Sequence, residues 1–263
     1  MKKPDSSDKE AEQLVAELDK TRQLLNKLKE EQRIRNNEQE HFAYVVSHDL
    51  KSPLASIVLT SEMLRENFGD AIDEGNDQLL QVLNRATFKI RNLADGILSY
   101  YRAERAMNEP PETFNLSACV QMIVETLRPG LSAEIHYPQE GALIHANKSA
   151  LEQILGSLMH NAIRYNNKEK TILYIRFLED EMSYYFEVQD NGKGIPVEDQ
   201  QRIFDLFTSL GDDRSGIPGL GIGLSNVKKL VENEGGKIRV HSVLQEGSLF
   251  QFSLKKSNTL PGA

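Results

Sequence analysis

From Lys9 to Arg65 the chain contains no glycine, and its only proline is Pro53. A backbone with so few breakers is committed to helix, here roughly 85 Å long at 1.5 Å per residue. Leu14, Leu18, Thr21, Leu25, Leu28, Gln32, Arg35, Gln39 and Phe42 recur at alternating spacings of four and three. They form a heptad seam, leucine-rich at first and then polar. One helix cannot bury such a seam alone, so the pattern predicts a weak parallel coiled coil and a homodimer. An apolar stripe continues through Val46, Leu50, Leu54 and Ile57.

Asn67-Phe68-Gly69-Asp70 and Gly75-Asn76-Asp77 predict a turn-rich break. A second helix is expected over about 77–105, with Leu79, Leu80, Leu83, Ala86, Ile90, Leu93, Ile97 and Tyr101 as its buried face. Two long helices in succession make an antiparallel hairpin, and two hairpins a four-helix bundle. Asn108-Glu109-Pro110-Pro111 reads as a linker, because neither proline fits a continuing helix.

Beyond the linker, helical segments expected over about 115–128, 147–165 and 222–234 alternate with strands. Thr171 to Glu179 puts Leu173, Ile175 and Phe177 on one face. Tyr184, Phe186 and Val188 repeat that period of two, as do Ile238 with Val240 and Phe250, Phe252 with Leu254. The expected fold is multidomain: an all-α antiparallel hairpin with an N-terminal coiled coil, then an α+β sandwich whose antiparallel or mixed sheet carries helices on one face.

Composition removes several alternatives. With 39% hydrophobic and 27% charged residues, the 263-residue chain is too apolar for disorder. A formal net charge of −8 argues against nucleic-acid binding as the main activity, while leaving room for a locally positive nucleotide pocket. Cys119 is the only cysteine, which excludes an internal disulfide and suits a reducing compartment. No apolar run approaches the ~20 residues that span a bilayer, and the polar start lacks a signal-peptide pattern. The expectation is a soluble, cytoplasmic chain, whole or the cytoplasmic piece of something longer.

Three motifs in the second half carry chemistry. Asp190-Asn191-Gly192-Lys193-Gly194, before Ile195, sets a carboxylate beside two residues that tolerate φ > 0 and let backbone approach a ligand. Such a carboxylate can accept from an exocyclic amine, although Asp-Asn-Gly taken alone reads more readily as a hairpin turn. Gly219-Leu220-Gly221-Ile222-Gly223-Leu224 enters a helix whose N-terminal N–H groups and dipole suit phosphate, with a flexible loop as the alternative. Asn161, Arg164 and Tyr165 can share one helix face and offer a Mg²⁺-ligating amide, a phosphate-binding guanidinium and a stacking ring.

Taken together, these motifs resemble those of the histidine kinase family. Phe42-Ala43-Tyr44-Val45-Val46-Ser47-His48-Asp49-Leu50-Lys51-Ser52-Pro53-Leu54 is similar to its phosphoacceptor box, and Gln153 to Tyr165 to its N box. Asp190 to Gly194 and Gly219 to Leu224 are similar to its two glycine boxes, Phe204-Asp205-Leu206-Phe207 to its F box, and Gly235-Gly236 with Gly247-Ser248 to its closing sheet segment. The resemblance covers about residues 36–256, in family order. It implies an ATP-binding domain of the type shared with gyrase, Hsp90 and MutL, joined to a dimerising bundle. The organisation implied is a coiled coil over 1–40, a phosphotransfer hairpin over 41–108, a linker at 109–111, the ATP domain over 112–257 and a tail at 258–263.

By that resemblance His48 is the phosphorylated nucleophile, Asn161 the Mg²⁺ ligand and Asp190 the reader of adenine. Arg164 stands at the usual lysine, Tyr165 flanks the base, and Gly192, Gly194, Ile195, Gly219 to Leu224 and Ser248 complete the ATP site. Chemistry adds Asp49 as proton acceptor or orienting partner of His48. Ser52, one turn beyond His48, stands where relatives dephosphorylate their partner, the receiver domain of a response regulator whose aspartate takes the phosphoryl group. The chain departs from the pattern at Ser157, usually asparagine, and at Thr208-Ser209, where many members have a basic residue; Arg214, in an expected lid over 211–218, offers a substitute. The remaining alternatives are an ATPase of the same nucleotide-binding class and a non-catalytic dimeric scaffold.

Overall fold

Helix α1 (Ser6–Phe68) runs unbroken through Pro53, so the segment expected to form a coiled coil and the segment carrying His48 are one rod. In this computed structural model residues 6–69, 74–127, 133–138, 141–210 and 219–256 are described, with α1 side chains described from Leu14 on except at positions 29, 33, 36 and 37. The expected lid with Arg214 and the expected tail lie outside the described residues. Helix α2 (Glu74–Ala106) begins earlier than its sequence signals, taking in Gly75 and Asn76.

The two helices pair antiparallel. Ser47 Oγ donates to the Ala94 carbonyl at 2.8 Å, Lys51 meets Asp95 at 2.6 Å, and Arg65 meets Asp77 at 2.9 Å. The seam between them is built mostly from small and polar residues, with two leucines: Ala43, Ser47, Leu54 and Ser61 face Thr87, Ala94 and Leu98, all buried. The larger apolar residues of the expected buried face, Leu79, Leu83, Ile90, Leu93 and Ile97, remain between 39% and 66% exposed in the single chain, and Phe42, Val46 and Leu50 are exposed as well. Small side chains let the helices approach closely, which turns the bulky stripe outward.

After α2 the chain forms β1 (Glu112–Asn115), α3 (Leu116–Leu127), β2 (Ala133–His136), β3 (Leu143–Ala146), α4 (Lys148–Arg164), β4 (Thr171–Glu179), β5 (Ser183–Asp190), α5 (Gly223–Asn233), β6 (Ile238–Val243) and β7 (Gly247–Lys255). Strands β1 and β3 make a small antiparallel ribbon. The main sheet runs β2-β4-β5-β7-β6, parallel only between β2 and β4. Strands β1, β2 and β3 were not anticipated: each has four residues, too few to display a period of two.

Helices α3, α4 and α5 cover one face. Phe186 on β5 stacks on Phe252 at 4.9 Å and meets Phe177 at 5.2 Å, beneath Leu151, Ile154 and Leu155 of α4 and Val227 and Leu230 of α5. The opposite face carries a polar ladder in which Arg176 donates to Glu187 at 3.3 Å and Arg239 to Gln251 at 2.9 Å. Asn147 caps α4 by accepting from Ala150 N at 3.0 Å. Its amide also donates to the Ala106 carbonyl at 2.7 Å and to Glu234 at 3.1 Å, tying the ends of α2 and α5 to the start of α4.

The end of α2 is itself a wall of this second unit. Asn226 donates to Ser99 at 3.2 Å, Lys229 pairs with Glu104 at 3.1 Å, and Gln153 donates to the Arg102 carbonyl at 2.9 Å. Phe186 tests the assignment of the core. Phe186→Ala is expected to cost about 3–5 kcal/mol in urea denaturation, whereas a loss below about 1 kcal/mol would place the core elsewhere.

Candidate active site

Asp190 ends β5 opposite Leu173, at the mouth of the sheet. Its Oδ1 accepts from Gly192 N at 2.7 Å, and the Ser248 N–H also donates to the carboxylate. Burial raises the carboxyl from its ordinary 3.8 to about 6, against the opposing effect of those two N–H groups. The loop after Asp190 is clamped from two sides. Ser242 Oγ accepts from Ile195 N at 2.8 Å, donates to Gly247 O at 2.8 Å and lies 2.9 Å from Ser248 Oγ. Gln200 donates to both the Ile195 and Ser242 carbonyls, at 3.1 and 2.8 Å. On the other side Asn166 donates to Asn191 at 2.7 Å, and Asn191 accepts in addition from Ile172 N at 2.9 Å. Gly194 has φ +72°, and a Cβ there would collide with the Val243 carbonyl. None of Ser242, Gln200 and Asn166 was found by sequence reasoning, because each acts across gaps of about 25–50 residues through ordinary polar chemistry.

The glycine run lies against the end of α4. A Cβ on Gly223, the first residue of α5, would be 3.1 Å from Ser157 Oγ and 3.9 Å from Asn161 Nδ2. Ser157, at the position where the pattern expects asparagine, and Asn161 therefore sit together under the start of α5. Gly221, at φ +69°, lies against the Thr208 backbone and accepts from Phe207 N at 3.1 Å. Phe207 itself has φ +65° and is exposed. The Leu220 and Ile222 side chains lie against α2: both δ1 methyls would be 2.8 Å from a Cβ on Gly96.

Tyr165 caps α4. Arg164 Cζ lies 5.7 Å and Lys193 Nζ 5.0 Å from the centre of its ring, and its hydroxyl abuts Gly219. Ser209 Oγ, also near Gly219, is buried and finds no partner among the described residues. A buried acceptor backed by N–H donors, glycine backbone without room for Cβ, and an orphaned hydroxyl beside that backbone together fit an adenine nucleotide.

His48 lies on the hairpin, far along the sequence from these loops. Its Nδ1 is 3.2 Å from Asp49 Oδ1, and both side chains are more than two-thirds exposed. Tyr44 stacks one turn away with ring centres 6.2 Å apart. Ser52, exposed, is one turn beyond on α1.

The raised carboxyl of Asp190 has a consequence for stability. The unfolded chain releases this proton near 3.8 and the folded chain near 6, so the folded state holds it longer and stability falls as pH rises through that window. At neutral pH the ionised group costs the fold on the order of 2–3 kcal/mol. Asp190→Asn retains an acceptor without the charge. In urea denaturation it is expected to be more stable than wild type at about pH 7.5, with the gap closing below about pH 4; a less stable variant at the higher pH would refute the assignment.

Comparison with known proteins agrees with this geometry. Residues 38–106 match the His Kinase A (phospho-acceptor) domain, and residues 146–258 match the histidine kinase-, DNA gyrase B- and HSP90-like ATPase domain. The sensor histidine kinase YcbM of Bacillus subtilis is 31% identical over 218 residues, covering 80% of this chain and 70% of that protein. Cyanobacterial phytochrome B of Nostoc sp. is 33% identical over 224 residues, and the sensor protein KdpD of Escherichia coli 29% over 214. The chain spans only 30% and 23% of those two proteins. The structure of full-length ShkA in complex with AMPPNP has the same fold, with a TM-score of 0.53 at 21% identity over 85% of this chain and 48% of that one. Among the described residues no helix is long and apolar enough to cross a membrane. Phosphoacceptor hairpin and ATP-binding domain thus occur in order in one polypeptide, and the chain belongs to the histidine kinase family.

Proposed function

We propose that this chain is the core of a sensor histidine kinase that uses Mg-ATP to phosphorylate His48 and passes the phosphoryl group to an aspartate on the receiver domain of a response regulator. The observation that carries the reading is the pairing, in one chain, of an exposed His48–Asp49 couple with the buried Asp190 pocket. The functional units are a coiled coil over 1–40, a hairpin over 41–108, a linker at 109–111 and an ATP domain over 112–257, acting in the cytoplasm.

Asp49 accepts from the Nδ1 side of His48, which leaves the Nε2 lone pair as nucleophile. His48 Nε2 forms the new P–N bond to the γ-phosphorus as the bond to the bridging oxygen breaks; ADP leaves with that electron pair, and the ring proton passes to Asp49 or water. Asp190 accepts from the adenine amine, Tyr165 and Ile195 flank the base, and the N–H groups of residues 219–224 and Arg164 offset phosphate charge. Asn161 would hold Mg²⁺, which supplies further charge neutralisation on the phosphates. Ser52, one turn beyond His48, orients water for regulator dephosphorylation.

Homodimerisation follows from the uncovered stripe of α2. Leu79, Leu83, Ala86, Ile90, Leu93 and Ile97 alternate at spacings of four and three, the seam of a bundle, and the occupant that matches it along its length is the same stripe of a second copy. Ile90→Glu is expected to convert the dimer to monomer in light scattering.

Catalysis is tested with radiolabelled γ-phosphate. Wild type should acquire an acid-labile, base-stable label that His48→Gln lacks, Asn161→Ala should label about 100-fold more slowly, and label should move to an added receiver domain. Full labelling of His48→Gln would refute the reading. Steady ATP turnover with no phosphoprotein would favour the same-class ATPase.

A further inference from the structure

Lys193 stands between the two glycines of the loop after Asp190, and neither the family motif nor the mechanism above gives it a task. Its backbone is fixed, because its carbonyl accepts from Gln245 N at 2.8 Å. Its side chain turns inward, carrying Nζ to 5.0 Å from the centre of the Tyr165 ring. That ring bridges the two halves of the pocket. It extends from the end of α4 until its hydroxyl reaches Gly219, where the glycine run begins and the orphaned Ser209 hydroxyl lies. The Lys193 ammonium is therefore held over a phenol whose far end touches the phosphate-binding backbone.

We propose that Lys193 is a nucleotide-binding residue whose ammonium pairs with the phosphate groups of ATP. It supplies a positive charge beside the glycine run, where the neighbouring Thr208 and Ser209 are uncharged. The inference rests on the ATP-binding reading of the site. The ring sets the ammonium beside the glycine run, and a charge-assisted hydrogen bond to phosphate is stronger than a cation–π contact. Arg164 places a second cation 5.7 Å from the same ring centre, so two positive groups adjoin the ring that reaches the glycine run. Lysine suits the exchange because its compact charge sits on a flexible stem that can swing from ring to phosphate.

A different role is open to the same lysine: by covering Tyr165 it could hold the place of the base and compete with nucleotide. The two roles predict opposite signs. Mg-ATP, Mg-ADP and adenosine are titrated, by calorimetry and by competition with a fluorescent ATP analogue, into the full chain and its Lys193→Gln and Lys193→Arg variants, each checked by thermal melting. Phosphate pairing predicts that Lys193→Gln weakens ATP and ADP about tenfold, leaves adenosine unchanged, and is largely rescued by Lys193→Arg. ATP affinity within about twofold of wild type, an equal loss for adenosine, or tighter binding of ATP would each overturn the proposal while leaving the ATP site intact. Absence of nucleotide binding by the wild-type chain would overturn the ATP reading itself.

Discussion

Ala103 and Ala106, near the end of α2, are each 1% exposed and belong to the same hydrophobic cluster as Ile144, Leu151 and Val227. At these two methyl groups the helical hairpin becomes part of the core of the ATP domain. A helix turns about 100° per residue, so α2 can serve several neighbours with different stripes. Thr87, Ala94 and Leu98 face α1. Gly96, Ser99, Ala103 and Ala106 face the ATP domain. Leu79, Leu83, Ile90 and Leu93 face neither. Apart from Leu98, small residues on the first two stripes allow close approach, and most of the bulky ones lie on the third. The division explains why an ordinary amphipathic reading of α2 is incomplete: it has more than one buried face.

The pocket answers a different constraint. A carboxylate at the end of a central strand is costly, and Asp190 shows that cost in its raised proton affinity. What keeps it in place is the polar satisfaction of its surroundings. Gly192 and Ser248 donate to the carboxylate, Ser242 and Gln200 hold the loop to the β6–β7 hairpin, and Asn166 and Asn191 hold it to the start of β4. A loop tied at both edges cannot move to relieve the buried charge. It therefore keeps an acceptor poised for a donor, the condition for reading an amine rather than only filling space.

The sequence made visible whatever had a period or a breaker. The unbroken α1, the strand Thr171–Glu179 with its alternating Leu173 and Ile175, and the glycine run at 219–223 were all readable from spacing alone. The short strands β1, β2 and β3 were not, since four residues carry no usable alternation. The stripe of α2 was visible but its neighbour was not, because periodicity shows that a face is apolar without showing what covers it. Leu220 and Ile222 entered the candidate site through their glycine neighbours, yet their side chains belong to the contact with Gly96. Ser242 and Gln200 left no trace, because a serine or glutamine acquires a role only when another strand brings it a partner.

The same helical arithmetic bears on how donor and acceptor can meet. Ser47, the residue before His48, bonds to the carbonyl of Ala94, and Lys51 pairs with Asp95. The glycine-rich loop rests on Gly96. Loop and histidine are thus at one height of the hairpin, within a single turn of α2. But two residues rotate the helix by about 200°, so the stripe of Ala94 and Leu98 that receives α1 lies opposite the Gly96 stripe that receives the loop. Helix α2 stands between them. For the transfer proposed above, the ATP domain must leave this seat or serve the histidine of a second chain. The seat suits release: beyond the alanine contacts near its base it is held by Asn226–Ser99, Lys229–Glu104, Gln153 on the Arg102 carbonyl and the two methyls on Gly96, polar or small contacts that separate at far lower cost than a bulky apolar seam.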